Sequence, residues 1–528
     1  MPKKMTGLMV DVFGESIYPA QIAFDTRIRE VKRIPSAPSR YILPGLIDGH
    51  IHTESSMLIP SEFARVAVRH GTTGVVADPH EIANVLGIVG VEWMIRNSGK
   101  TPLRFFFGAS PCVPATAFET AGAALGHREI KRLLAMKEVY FLSEMMNYPG
   151  VIGRDPEVIR KIALAKAAGK PVDGHAPGLS GRDLDRYLEA GIETDHECYR
   201  LGEAREKMGK GMKILVREGS AAKNLAELYP VLRSSSSMLC GDDTHPDDLL
   251  EGHMDRILSK CVSLGVDPVV AVKCCTRNTV EHYKLPAGLL REGDPADFVV
   301  VDDLKGFRVR ETWIEGRRVF SGASVRFGRV REKPINRFCA REMEPADFAT
   351  RPRRRNFVIG VIDGEIITEK LELDGVVPDI RRDILKIAVI NRYGKAKPAV
   401  GYIRNFGIKR GALGSSVMHD SHNIGIVGAD DASICKVANR IMEMKGGLAV
   451  FDGKGMRSMP LPFAGLMSGE PGGKVASRYR SLTIKAREMG CSLRSPFMTL
   501  SFMGLLVIPH LKISDLGMFD SDGFRFIR

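Results

Sequence analysis

Apolar residues along this chain come in two textures. Over residues 7–43 they form short runs broken by turns. Leu8-Met9-Val10-Asp11-Val12-Phe13 and Ala20-Gln21-Ile22-Ala23-Phe24 flank Gly14-Glu15-Ser16, a pattern of short strands too small to stand alone. From Pro44 the texture changes to apolar runs of strand length alternating with helical segments, among them Ser61–His70, Asp155–Ala168, Gly181–Ala190 and Ala221–Leu228.

Eight such runs follow one another, each ending on polar residues. They end at His50/His52, Asp78-Pro79-His80, Ser110, Glu144, His175, His196, Arg217-Glu218 and Asp242. Strand–helix alternation predicts a parallel sheet, and eight repeats predict a closed (β/α)8 TIM-like barrel with its reactive groups at the carboxyl ends of the strands. Helices are expected over Asp247–Ser263 and Val269–Tyr283. A strand returns within Gly293–Asp302 and another at Glu311-Thr312-Trp313-Ile314-Glu315, and they pair in this reading with the N-terminal ones. The fold class is therefore α/β. A barrel over 44–283 is inserted in a small composite β-sandwich of 1–43 and 284–335. A basic, proline-containing linker over 325–356 leads to a C-terminal α/β domain over 345–528. That last domain should open with strands at Phe357–Ile362 and Glu365-Ile366-Ile367 and carry a helix near Ala432–Met444.

The polar strand ends carry the chemistry. Residues i and i+2 of a strand share a face, so His50 and His52 can grip one ion from a strand tip. Glu144, His175, His196 and Asp242 join them at the same barrel mouth. Four imidazoles and two carboxylates form a mixed N/O set suited to two first-row divalent metals bridged by a carboxylate. Each residue alone also fits a packed histidine or a helix-capping acid; the ordered set of six does not. Glu54, His80 and Glu81 follow strands one and two closely enough to reach a substrate.

Composition changes little. The 76 Lys+Arg against 63 Asp+Glu leave a net charge of +13, but the excess is spread out, and the one dense run, Arg351-Pro352-Arg353-Arg354-Arg355, lacks interleaved aromatics. A binder of purines or nucleic acid with a vestigial site has only that charge in its favour. Nine cysteines without a CxxC or regular framework suit reduced thiols and a cytoplasmic protein. The apolar stretch Phe497–Pro509 is interrupted by Thr499 and Ser501 and is too short to span a bilayer. Zinc deaminases of the HxE/PCxxC type are not matched, because Pro111-Cys112-Val113-Pro114-Ala115 lacks the second cysteine.

The ordered ligands and several local strings resemble the adenine deaminases of the amidohydrolase superfamily. The strings are Pro44–Met57 around His50-Ile51-His52, Asp78-Pro79-His80-Glu81, Ser143-Glu144-Met145-Met146-Asn147, Ser415-Ser416-Val417-Met418-His419-Asp420-Ser421-His422-Asn423 and Phe497–Phe502. The resemblance spans almost the whole chain. It implies a binuclear centre of Mn2+ or Fe2+, with Zn2+ disfavoured. His50, His52, Glu144, His175, His196 and Asp242 would be its ligands, and Glu144 would bridge in place of a carboxylated lysine. It also implies hydrolysis of adenine to hypoxanthine and ammonia by a metal-bound hydroxide, with Asp242 moving the proton. Of the two adjacent acids, Asp242 fits the superfamily register better than Asp243, and Gly241 stands where the family carries Thr. His419, Asp420 and His422 belong to the family pattern as a second cluster, of metal or substrate type. The implied partner is adenine, with no nucleic acid or membrane; homo-oligomerisation is left open. An amidohydrolase acting on another aminated heterocycle or a cyclic amide has the same ligands.

Overall fold

The computed structural model describes residues 2–234, 237–351, 354–375 and 378–527. Pro352 and Arg353 of the basic run lie outside the described residues. Arg355, at its end, is the first residue of a strand and pairs with Glu372 and Asp374.

Eight parallel strands build the central cylinder. Five form one sheet in sequence order: Leu46–Ile51, Thr72–Ala77, Arg104–Ala109, Val139–Met145 and Val172–Gly174. Three form another: Thr194–Asp195, Lys213–Arg217 and Ser237–Cys240. Hydrogen bonds cross both seams. The Glu193 N–H donates to the Val172 carbonyl at 2.9 Å, and the Asp242 N–H donates to the His50 carbonyl at 2.9 Å. The first two strands are buried at every residue, which is why they read as unbroken apolar runs rather than alternating ones.

The flanking β segments join across the insertion. Tyr41–Pro44 pairs in parallel with Lys3–Asp11 and antiparallel with Phe298–Val301. The β-sandwich expected there takes the form of one eight-stranded sheet, with Phe24, Phe298 and Trp313 packed ring on ring over it. The chain from Val325 then runs over the surface and is pinned by Arg329 to Glu62 and by Lys100 to Glu332. The C-terminal domain holds a second eight-stranded sheet, covered by the helices Asp431–Glu443 and Gly472–Glu488, and a three-stranded sheet from Leu511 to Phe526. Among the described residues, no helix is long and apolar enough to cross a membrane.

Several expected elements are interrupted for visible reasons. The helix over Asp247–Ser263 is two, Pro246–Glu251 and Met254–Ser263. Between them His253 turns inward, its Nε2 2.9 Å from Asp48 Oδ2 and its Nδ1 2.7 Å from Thr72 Oγ1. The helix over Val269–Tyr283 breaks after Cys274, which frees the Cys275 carbonyl to accept the Ile47 N–H at 2.8 Å. Of Ala221–Leu228 only Leu225–Leu228 is helical, because the preceding loop folds back so that the Ser220 N–H donates to the Asp243 carbonyl at 2.8 Å. The strand placed at Glu365–Ile367 begins instead at Thr368, since residues 363–366 make the turn back from Arg355–Val361.

Candidate metal centre

The six ligand candidates meet at the mouth of the cylinder, all of them buried. His50 and His52 leave the first strand with their Nε2 atoms 3.1 Å apart. His52 Nδ1 lies 3.2 Å from the Asp78 carbonyl, an acceptor that puts the ring proton on Nδ1 and leaves the Nε2 lone pair facing inward. Burial, then the neighbouring His196 and His52, pushes His50 down to about 3, so its ring is neutral. Two inward ring nitrogens at 3.1 Å, with the Asp242 and Glu144 carboxylates beside them, make a donor set suited to a cation.

Glu144 stands between the two halves of the set. Its Oε1 lies 3.3 Å from His52 Nε2. Its Oε2 lies 2.7 Å from His175 Nδ1 and 3.1 Å from His196 Nε2. Asp242 closes the ring, its Oδ1 3.1 Å from His52 Nε2 and 3.7 Å from His50 Nε2. Its φ of +50° lies in the left-handed region, where a residue other than glycine is strained. Burial alone would discourage ionisation of Asp242. The Arg217 guanidinium and the His52 contact override it and hold the carboxyl well below the usual range. Asp243 also lines the cavity, but its carboxylate accepts from Ser55 Oγ at 2.5 Å.

The floor beneath these residues is a set of buried polar ties. Asp48 Oδ1 accepts the His50 N–H at 3.2 Å and the Gly241 N–H at 2.9 Å, clamping the first strand to the eighth. A Cβ on residue 241 would come within 2.6 Å of Asp48 Oδ2, so the close approach of the first and eighth strands calls for glycine there. Lys207, fully buried, donates to the Ala176 carbonyl at 2.7 Å and to Asp195 Oδ2 at 2.8 Å, fixing the backbone beside His175 and His196.

Three site residues had no role in the sequence reading. Asp78 Oδ2 lies 3.1 Å from His80 Nδ1. Glu197 Oε1 lies 3.6 Å from His175 Nδ1 and 3.5 Å from His196 Nε2. Arg217 donates to Glu197 Oε2 at 2.9 Å and to Asp242 Oδ2 at 2.6 Å. Asp78 and Arg217 had a signal, since each ends an apolar run; Glu197 had only its place beside His196.

The substrate candidates divide. His80 and Glu81 line the cavity over the centre, together with His419, Asp420 and Phe502 from the C-terminal domain. Glu54 is not among its walls; its Oε1 accepts the Ile82 N–H at 3.2 Å, and burial with the nearby Glu81 charge pushes it up to about 7. His422 lies one layer back, against Glu81.

The chain matches known proteins along nearly its whole length. Residues 41–319 match the amidohydrolase family and residues 362–525 the adenine deaminase C-terminal domain. It is 50% identical over 528 residues to an adenine deaminase of Sulfurovum sp. (strain NBC37-1), covering 99% of each chain. It is 48% identical over 537 residues to an adenine deaminase of Salinibacter ruber, covering 99% of this chain and 98% of that one. With the adenine deaminase of Methanosarcina mazei it shares 45% over 548 residues, 99% of each. Among solved structures, a dihydropyrimidinase from Brevibacillus agri superposes with a TM-score of 0.47 at 15% identity, over 61% of this chain and 95% of that one.

Proposed function

This chain belongs to the amidohydrolase family and, within it, to the adenine deaminases, hydrolases that use a divalent metal; on that premise we propose that His50, His52, Glu144, His175, His196 and Asp242 hold a pair of divalent cations at which adenine is deaminated. The observation that carries this reading is the position of Glu144, with one oxygen toward His52 and the other toward His175 and His196. A carboxylate so placed would be able to contact two cations without any modification. The donor set is nitrogen and oxygen with no thiolate, which favours Mn2+ or Fe2+ over Zn2+.

Adenine C6 is an aromatic carbon carrying an amine, and water is too weak to displace it at neutral pH. Divalent cations in this set supply Lewis acidity and bring the pKa of water toward ~7. The chain's own residues do the rest. Asp242 Oδ1 faces the cluster while Oδ2 is held by Arg217, so one oxygen is free to take the proton of the attacking water. The same carboxyl then returns a proton to the ring nitrogen or the departing amine, as base and then acid. Arg217 keeps that carboxylate ionised and aimed. Phe502, Leu505 and Ile366 close the cavity from the C-terminal side and keep bulk water out. Ammonia and hypoxanthine are the products. A cytoplasmic location is part of the same proposal, supported by nine unpaired cysteines, eight of them buried.

Ammonia release from adenine by the manganese- or iron-loaded protein, alongside metal analysis of Glu144→Ala, tests the reading. Deamination by the wild type and loss of metal from the variant are expected; full metal occupancy in the variant would remove Glu144 as the bridge.

A further inference from the structure

The cavity over the centre is too small to admit adenine as it stands. It leaves about 30 Å³ of free space, room for about two water molecules and not for a purine. A wall therefore has to move. The barrel side is carried on strand ends that hydrogen bonds lock into the cylinder, and His419 and Asp420 are held by ion pairs to Glu81 and His80. Among the described residues, none from the long loop after the third strand lines the cavity. That loop is clasped elsewhere, with Ser514 Oγ donating to the Phe118 carbonyl at 2.7 Å and the Thr120 N–H donating to Asp515 at 2.9 Å. Ile366, Phe502 and Leu505 remain, three apolar side chains that no polar bond fixes over the cavity.

These side chains sit on two segments of little regular structure. Ile366 belongs to residues 362–367, the turn between Arg355–Val361 and Thr368–Asp374. Phe502 ends the helix Pro496–Phe502, and Leu505 lies between that helix and the strand Leu511–Ser514. From Gly504 to Ile508 the backbone N–H groups make only local turn bonds, each of 3.3 Å. Ile366 is buried while Ile367 beside it is exposed, so this wall is one residue thick. Sparse backbone bonding and a single layer mark a region that opens locally at low cost. The two segments finish side by side. The Thr368 N–H donates to the Pro509 carbonyl at 3.0 Å, and Thr368 Oγ1 accepts the Leu511 N–H at 3.2 Å. Both segments are thus hinged at one clasp.

Lys512, one residue past the clasp, joins them. It is fully buried, and its amine donates to the Ile366 carbonyl at 2.7 Å and the Phe502 carbonyl at 3.0 Å. Among the described residues these are its polar partners. An apolar side chain would fill that place without desolvating an amine. What the amine adds is a bond to two carbonyls, and both belong to residues of the cavity wall. From outside, the turn is held by Arg494 on Asp363 at 2.8 Å, an exposed pair that contributes little.

We propose that residues 362–367 and 503–508 are the two leaves of a door through which adenine reaches the centre, and that Lys512 is the positioning residue that makes them move as one. Naming adenine as the molecule that passes rests on the deaminase reading; the opening itself does not.

Hydrogen exchange of the metal-loaded full-length protein, read by mass spectrometry, tests this without turnover. In the wild type both leaves exchange faster than the strand Val139–Met145 and share one degree of protection. Lys512→Met speeds exchange in both leaves by about 10-fold, the scale of one buried hydrogen bond lost. It also raises KM for adenine more than it lowers kcat, at unchanged metal content, and Lys512→Arg, which keeps the donors, recovers part of the KM. Wild-type leaves as protected as Val139–Met145 overturn the door, and that comparison stands even where the variant fails to fold. Leaves that respond separately to Lys512→Met, or a KM that does not move, overturn the role of Lys512. Ammonia release from adenine judges the deaminase reading on its own.

Discussion

Arg217 Nη1 lies 2.6 Å from Asp242 Oδ2 while its other arm holds Glu197, so one buried guanidinium pairs with two carboxylates at the rim of the centre. This pairing lets Asp242 stay ionised although it is sealed from water. It also divides the work of the carboxyl, with one oxygen held and one left for chemistry.

Replacing Arg217 by Met strands two buried carboxylates. Breaking a buried pair from one side costs about 3–5 kcal/mol, so the melting temperature should fall by many degrees and turnover should fall with it. Arg217→Lys should recover part of the stability and less of the activity, because an ammonium lacks the planar fork. Thermal melts and adenine turnover on the three proteins check this; an Arg217→Met protein with unchanged melting would show that the pair is not needed.

Asp242→Asn keeps the size and loses the basic oxygen. General acid–base groups contribute about 100- to 10,000-fold, so kcat should drop within that range while the other five ligands retain the metal. Elemental analysis paired with steady-state kinetics separates the two effects. Retained turnover would take the proton-transfer role away from Asp242.

Much of this site was legible because strands have a period of two and because each apolar run stops on its functional residue. His50 and His52, Glu144, His175 and His196 all follow that rule. Asp48 and His253 do not, since their bond joins residues 205 positions apart, and nothing local marks either as part of the floor. Lys207 reads as an ordinary charge on an amphipathic helix, yet it is fully buried against Asp195. The broken helices were hidden for the same reason. Helical pattern runs straight through Gly252-His253 and Cys275-Thr276, and only the distant demands of Asp48 and Ile47 pull the chain off its path.

Lys512 offers a test of the C-terminal wall. Its buried amine has no carboxylate beside it among the described residues and donates to the Ile366 carbonyl at 2.7 Å and the Phe502 carbonyl at 3.0 Å. Burial pushes its pKa from 10.5 down to about 7. Between those two values the unfolded chain binds the proton that the folded chain has released, so this residue's contribution to stability rises with pH across that window. The stability of the wild type relative to Lys512→Met should therefore increase from pH 7 to pH 10, on the order of a few kcal/mol. Denaturant unfolding of both proteins at the two pH values gives the difference directly; a constant gap would mean that Lys512 does not titrate there.

The central claim is that adenine is deaminated at cations gathered around Glu144. The most direct measurement is ammonia release from adenine by metal-stripped protein before and after addition of Mn2+ or Fe2+, with Glu144→Ala treated identically. The stripped wild type should be silent and regain turnover with metal, and the variant should stay silent throughout. Turnover without metal, or turnover by Glu144→Ala equal to the wild type, would contradict it.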